Sequence, residues 1–74
     1  MITAIYTHPR THETFPVQVL ASDRYLSVTR FIVRALRDET PFIEWSSEGY
    51  PVPTRSTKVF RESLSCIVKV DTAN

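Results

Sequence analysis

The chain has 74 residues, of which 42% are hydrophobic and 23% charged, with a formal net charge of +1. This length allows a single domain over 1–74, so multi-domain enzymes, large α/β barrels and repeat arrays are excluded. Because there is one glycine, neither of the standard glycine-rich phosphate loops is present. A compact chain of this length is expected to have a radius of gyration of about 11 Å.

Cysteine content and the start of the chain predict the compartment. Cys66 is the single cysteine, so an internal disulfide is excluded. The first residues show no basic region followed by an apolar run, and no segment approaches the roughly 20 apolar residues of a membrane span. We therefore expect a cytoplasmic protein without a membrane segment.

Alternating apolar and polar residues predict the first two strands. One strand is expected over 2–7 and a second over 15–21, and the polar, proline-containing loop between them indicates a hairpin. Pro16 has no amide hydrogen to donate, so it places the second strand at an edge of the sheet or lies near the beginning of that strand.

The segment from Asp23 to Asp38 predicts an amphipathic helix. On a helical wheel nearly all its apolar residues fall in one half, whereas Arg30, Arg34 and Arg37 fall in the opposite sector. Their i, i+4, i+7 spacing stacks the three arginines on one helix face. Pro41 disfavours a helical residue before it, so the helix is expected to end near Asp38 or Glu39.

The rest of the chain predicts short strands around a tight turn. A third strand is expected over 42–46, a turn with Gly49 in the left-handed conformation follows, and the proline-rich segment 50–53 forms a short edge strand or an extended arm. Residues 54–63 fit either a strand or a single helical turn. A final strand over 64–70 places Cys66 in the core, and residues 71–74 are expected to fray.

The order strand, strand, helix, strand, edge segment, strand predicts the α+β class. We expect an antiparallel sheet of four to five strands with one amphipathic helix packed on one face.

Candidate catalytic and metal-binding groups are few. His8 and His12 have the spacing of half a zinc site, but the cysteine pair of the other half is missing, so neither a metal nor another cofactor is expected. The same two histidines could act as acid and base in a small ribonuclease toxin. We expect no catalytic residues, and this toxin is the third functional hypothesis.

Basic and aromatic residues are the candidates for partner binding. The arginine face of the helix and a second basic segment could form one phosphate-binding or acid-binding surface, or could be solvated side chains. An aromatic cluster surrounds the Gly49 turn. Because Glu44 is not expected to be buried unpaired, the sequence favours Trp45 in the core over Trp45 on a binding surface. The candidate set is Arg24, Arg30, Arg34, Arg37, Trp45, Tyr50, Arg55, Lys58 and Arg61.

A small domain without an assembled active site is expected to act by occupying a surface. The leading hypothesis is a non-enzymatic protein that docks on a macromolecular partner, a protein above all, and modulates or inhibits it. One form would be a phage or mobile-element accessory protein that inhibits a host enzyme or defence complex. The alternative is a nucleic-acid-binding regulator that uses the arginine face. Monomer and homodimer both stay open, although the prolines of 50–53 discourage strand-to-strand pairing there.

Overall fold

Two antiparallel sheets make up the protein, and the computed structural model describes residues 1–70. The strands are β1 (Ile2–Thr7), β2 (Thr14–Tyr25), β3 (Val28–Ala35), β4 (Phe42–Trp45), β5 (Pro51–Thr54), β6 (Ser56–Phe60) and β7 (Leu64–Lys69). Five of them form the main sheet in the order β6-β3-β2-β1-β7, while β4 and β5 form a separate hairpin.

The two edge strands of the main sheet are neighbours in the chain. A single turn of 3-10 helix, Arg61–Ser63, links the end of β6 to the beginning of β7. Four residues reach at most about 14 Å, whereas the edges of a flat five-stranded sheet lie roughly 19 Å apart. The sheet therefore curls at this end, which brings its two edges closer together than in a flat sheet.

The core lies on the inner side of this curl. Val17 and Val33 are fully buried, as expected where apolar residues alternate along a strand with one buried face. At one end, the rings of Tyr6, Phe15 and Phe42 pack with their centroids 5.1 to 5.4 Å apart. Phe42 belongs to β4, so its side chain anchors the separate hairpin to the main sheet.

The predicted helix over 23–38 is wrong, and so are the α+β class and the arginine-rich helix face. Residues 1–70 contain no α-helix, and the segment forms the end of β2, a two-residue turn and β3. Phe31, Val33 and Ala35 are every second residue of β3, and their side chains face the core. The same residues also fit the apolar half of a helical wheel. Pairing with β2 and β6 selects the strand period of two residues over the helical period of 3.6. The β-branched residues of β3 also favour the strand.

A β-bulge sets which side chains of β2 face outwards. Val19 pairs with Val33 but Ala21 pairs with Ile32, so Leu20 is an extra residue on β2. Because side chains alternate with a period of two, one extra residue moves those after it to the opposite face. Asp23 is thereby transferred from the inner face of the sheet to the outer one.

Several of the other predictions are confirmed. β1 covers the predicted residues, and β4 and β5 are joined by a turn in which Gly49 has φ of 86°. Residues 54–63, for which the sequence left a strand and a helical turn open, hold a strand followed by a 3-10 turn. Cys66 is exposed with φ of 52° at a bulge in β7, so its predicted place in the core is wrong. The predicted fraying of 71–74 lies outside the described residues.

The protein is less compact than its length predicts. Its radius of gyration is 13.0 Å, compared with the expected value of about 11 Å. The final pairs of the β2–β3 hairpin, Arg24 with Thr29 and Tyr25 with Val28, extend beyond the pairing of β1 and β6. The β4–β5 hairpin also pairs with no strand of the main sheet. These two hairpins are the surfaces on which most of the candidate binding residues lie.

Candidate functional site

Three of the predicted basic residues meet on the outer face of the main sheet. On β3, Arg30 lies two residues before Ile32 and Arg34 lies two residues after it. Because side chains alternate along a strand, these three side chains point to the same face. Lys58 of β6 lies directly opposite Ile32. The sequence left open whether the two basic segments form one surface, and these three cations come together through strand pairing, without a helix.

Asp23 neutralises part of this cluster. Arg30 donates to both of its carboxylate oxygens, at 3.2 and 3.1 Å, and the Lys58 ammonium lies 3.2 Å from one of them. Hydrogen bonds from Arg30 and Lys58 lower the pKa of Asp23 below its usual value. Arg34 donates to the side-chain oxygen of Gln18 at 2.8 Å. The cations are thus held in place by neighbours on β2.

An open groove runs between this cluster and the β4–β5 hairpin. Glu44 of β4 accepts a hydrogen bond from the Thr57 hydroxyl at 3.2 Å, which ties the hairpin to β6. Two carboxylates, Asp23 and Glu44, therefore accompany the three cations, and the local charge is only about +1 at neutral pH. The groove has a volume of about 510 Å³ and is lined by Arg30, Ile32, Glu44, Ser56, Thr57 and Lys58.

The remaining predicted arginines lie elsewhere, and three of them bind backbone carbonyls. Arg55 donates to the carbonyls of Ala35, the last residue of β3, and Leu36, at 3.1 and 3.4 Å. Arg61 donates to the Leu64 carbonyl at 2.9 Å, and Arg24 to the Ser27 carbonyl at 3.2 Å. Arg37 is exposed beyond the end of β3. Arg55 and Arg61 thus hold chain connections together, a role that sequence reasoning did not assign to them.

The turn of the β2–β3 hairpin combines backbone strain with an exposed apolar side chain. Leu26 and Ser27 have φ of 50° and 68°, the left-handed region that a two-residue turn requires and that glycine or asparagine adopts most easily. Leu26 is 81% exposed, and Tyr25 and Val28 beside it are also exposed. The Arg30 guanidinium lies 4.5 Å from the centre of the Tyr25 ring. We call Tyr25, Leu26 and Val28 the hairpin tip.

Sequence reasoning missed the hairpin tip because a Leu-Ser turn carries no turn signal. A usable signal was present in the strand that follows it, since Val28, Thr29, Ile32 and Val33 are β-branched and disfavour a helix.

The β4–β5 hairpin exposes an apolar face. Ile43 pairs with Pro53 and Trp45 with Pro51, so these four side chains share one side, opposite the side on which Phe42 enters the core. Trp45 is 70% exposed and Ile43 59% exposed, and the neighbouring Tyr50 is also exposed. The interpretation of Trp45 as a core residue is therefore wrong. We call Ile43, Trp45, Pro51 and Pro53 the hairpin face.

The free edge of β5 cannot accept another strand. The Ser46 amide donates to the Tyr50 carbonyl, so the residues of this hairpin that exchange backbone hydrogen bonds are the even-numbered ones. Pro51 and Pro53 consequently face outwards along the edge, and neither has an amide hydrogen. A binding partner that adds a strand would find no donor on this edge.

The histidine loop is held by local hydrogen bonds. The backbone amides of Arg10 and Thr11 both donate to Nδ1 of His8, at 3.1 and 3.2 Å, and the His12 amide donates to the His8 carbonyl. His8 also lines an open pocket of about 260 Å³ beside Tyr6 and Phe42. Within residues 1–70 no group of three or more histidine, cysteine or acidic side chains is arranged to hold a metal ion.

Comparison with family models, curated proteins and solved structures finds no match for this chain. In the part of the chain that the structure describes, no helix has the length and apolar character needed to cross a membrane. Functional argument therefore depends on the two hairpins and the groove between them.

Proposed function

We propose that this chain is a non-enzymatic protein-binding module that inserts the hairpin tip into an apolar pocket of a macromolecular partner and so modulates or inhibits that partner. The observation that carries the proposal is Leu26, a largely exposed apolar residue in a left-handed conformation.

The argument for a function at Leu26 is that this residue, in this conformation, lowers the stability of the folded chain. An L-residue in the left-handed region costs roughly 1–2 kcal/mol, and an exposed leucine gains little from burial in return. Asparagine or glycine at this position would relieve the strain. Local rules are broken in this way mainly at functional sites, where a partner supplies the missing contacts.

Charged groups next to the hairpin tip indicate what surrounds the pocket on the partner. Tyr25 and Val28 lie on the same face as Arg30, and the Lys58 ammonium is attached to the same cluster through Asp23. An exposed tyrosine beside an arginine is a composition typical of interface hot spots. We therefore propose an apolar pocket with an acidic rim on the partner protein.

Charge favours a protein partner over the alternative, a nucleic acid. A protein that binds a duplex through about 6–10 phosphate contacts needs a comparable number of cations to neutralise them. Arg30 and Lys58 already share the Asp23 carboxylate, and Glu44 lines the same groove. Arg34 is the cation of this face that contacts no carboxylate at salt-bridge distance within the described residues. We place the interaction in the cytoplasm, where an exposed single thiol such as Cys66 stays reduced.

The test compares the chain with its Leu26→Asn variant as affinity bait in lysate of the source cells, followed by titration of the purified captured protein. Because this variant is expected to be more stable than the original chain, lost binding cannot be assigned to unfolding. Burying a leucine contributes about 1.5–3 kcal/mol, so the dissociation constant is expected to rise about 10- to 100-fold.

Equal capture by the chain and by Leu26→Asn would refute the hairpin tip as the contact.

A second experiment measures binding of labelled duplex and single-stranded oligonucleotides at low and high salt. Binding that falls steeply with salt and disappears in Arg34→Ala would replace the proposal with the nucleic-acid alternative.

A further inference from the structure

The backbone of β6 points half of its hydrogen-bonding groups away from the main sheet. The Ala35 amide donates to the Arg55 carbonyl, and these two residues continue the register of β3 with β6. In an antiparallel pair every second residue exchanges backbone hydrogen bonds with its neighbour, so Thr57 and Val59 bond to β3. The amide and carbonyl of Lys58, which lies between them, therefore point outwards along the edge of the sheet.

Pairing on the other side of β3 agrees with this assignment. The Leu36 amide donates to the Pro16 carbonyl, so the even residues of β3 bond to β2 and the odd residues to β6. Ser56 and Phe60 share the outward orientation of Lys58, although the Ser56 carbonyl already accepts a hydrogen bond from the hydroxyl of Thr54 at 3.0 Å. No strand within residues 1–70 pairs with this edge. Its donors and acceptors are centred on Lys58.

The other free edges are less suited to receiving a strand. β7 has a register shift in its pairing with β1 and holds Cys66 with φ of 52°, while β5 presents Pro51 and Pro53 along its edge. Bulges and prolines are features that prevent an edge from accepting another strand. β4 is four residues long and presents only Ile43 and Trp45 outwards. β6 pairs with β3 over five residues without a proline or a register shift.

Open space lies along both sides of the β6 edge. The pocket beside Tyr6 and Phe42, of about 260 Å³, borders Thr57 and Lys58 on the inner side of the sheet. The groove of about 510 Å³ beside Glu44 borders the same two residues. A chain segment laid along β6 would therefore have room for its side chains.

Charge on the outer face decides which side chain suits the position opposite Lys58. Residues that pair across strands have their side chains on the same face, so this position lies beside Arg30. Arg30, Arg34 and Lys58 are accompanied on this face by one carboxylate within the described residues, that of Asp23. Opposite charges across strands attract and like charges repel. An acidic side chain is therefore favoured at this position.

The positions before and after the acidic one favour apolar side chains. They lie opposite Thr57 and Val59, so their side chains point to the inner side of the sheet. Val59 belongs to the core cluster, and Tyr6 and Phe42 line the adjoining pocket. Apolar side chains at these positions would extend the core of the protein.

From these observations we propose that β6 binds an extended peptide of a partner protein, which adds to the main sheet as an antiparallel strand and places an acidic residue, flanked by apolar ones, opposite Lys58. In this mode main-chain hydrogen bonds supply affinity and alternate side chains supply specificity. A second copy of β6 fits poorly, because the register that pairs all five residues sets Lys58 against Lys58. The site is separate from the hairpin tip.

The test titrates the chain with the labelled peptide acetyl-Thr-Val-Glu-Val-Thr-amide, whose glutamate aligns with Lys58. N-methylation of the glutamate amide removes the donor to the Lys58 carbonyl and should weaken binding at least about 10-fold. The valine amides point away from β6, so N-methylation there should change affinity by less than about 2-fold. A peptide with lysine in place of glutamate should bind more weakly than the original peptide.

Two variants at Lys58 separate the backbone from the side chain. Lys58→Ala keeps the amide donor and should lower affinity about 2- to 5-fold through the lost charge. Lys58→Pro also removes the donor and should lower it at least about 10-fold further. A proline whose missing donor would face solvent is tolerated in an edge strand, and circular dichroism checks the fold of both variants.

Hydrogen exchange gives a readout on the original chain that needs no variant. The Lys58 amide should exchange fast in the free chain and slowly with the peptide bound, because binding supplies its acceptor. The Thr57 and Val59 amides should be slow in both states, since β3 already pairs with them.

Leu26→Asn is the matched control and should bind the peptide as the original chain does, so this proposal and the one at the hairpin tip can fail separately. The absence of saturable binding up to about 1 mM peptide would overturn the proposal. Equal affinity of the two kinds of N-methylated peptide, or a Lys58 exchange rate that the peptide does not change, would also overturn it. A dimer of the chain that Lys58→Pro abolishes would assign the edge to a second copy instead.

Discussion

The strained turn at Leu26 gives the sharpest prediction about stability. Leu26→Asn places a residue that tolerates the left-handed conformation at φ of 50°. Relief of strain is worth roughly 1–2 kcal/mol. With Leu26 81% exposed, only about a fifth of the burial free energy of a leucine, roughly 0.5 kcal/mol, is lost. The variant is therefore expected to be more stable by about 1 kcal/mol, which raises Tm by about 4–8 °C in a domain of this size.

Urea unfolding followed by far-ultraviolet circular dichroism measures this change, at a protein concentration held constant between variants. The midpoint should rise while the slope stays the same, because the surface exposed on unfolding hardly changes. Leu20→Asn is the matched control, since Leu20 is a half-exposed strand residue with negative φ. It should lower stability. A midpoint for Leu26→Asn at or below that of the original chain would refute the argument from strain.

Three further predictions test the supports of the fold. Arg55→Ala should lower the unfolding free energy by about 1–2 kcal/mol because two carbonyls lose their donor, whereas the exposed Arg37→Ala should change it by less than about 0.5 kcal/mol; denaturant midpoints compare the two. Val33→Ala should cost roughly 2 kcal/mol by opening a cavity in the core, measured by thermal unfolding, and a cost near zero would contradict the assigned core. The pKa of Asp23 is lowered in the fold, so its contribution is present above its ordinary pKa and is lost as the pH falls through the lower folded value. The stability difference between the chain and Asp23→Asn should shrink to zero across that acid range, and a difference that persists below it would show that the ion pairs are not its source.

Strand prediction succeeded where side chains alternate between one buried and one solvated face. Ile2 to Thr7 has this pattern, and Gly49, the single glycine, marks the turn between β4 and β5. When only one side of a strand is buried, its apolar and polar residues alternate, so the strand can be recognised from local sequence alone. The proline-rich segment 50–53, for which an edge strand and an extended arm were both open, contributes most of β5.

Prediction failed at Asp23–Asp38 because the turn inside that segment has no glycine or asparagine. Without a visible break, the apolar residues of two strand ends merged into a helical pattern. The bulge at Leu20 added to the error, because it changes which side chains of β2 face the core. Neither feature can be read without knowledge of which strands pair.

The predicted grouping of the basic residues assumed a helical scaffold, and that scaffold is wrong, because the segment forms strands. Arg30, Arg34 and Lys58 come together, but through strand pairing. Arg55 and Arg61 were grouped with them by charge, although their guanidinium groups bind backbone carbonyls. An arginine is free to contact a partner only where the fold brings no backbone carbonyl of its own chain within hydrogen-bond distance. The sequence around the arginine does not show where such carbonyls lie.

The pairing of β1 with β7 has a consequence for the time course of folding. Ile2 lies opposite Lys69, so this ladder joins residues that are nearly a whole chain length apart. Contacts of long sequence separation form slowly, because the loop they close must first lose its entropy. We expect the hairpins β1–β2 and β2–β3 to form early and β7 to dock last. Refolding should then take milliseconds to seconds, and substitutions in β7 should change the unfolding rate more than the folding rate.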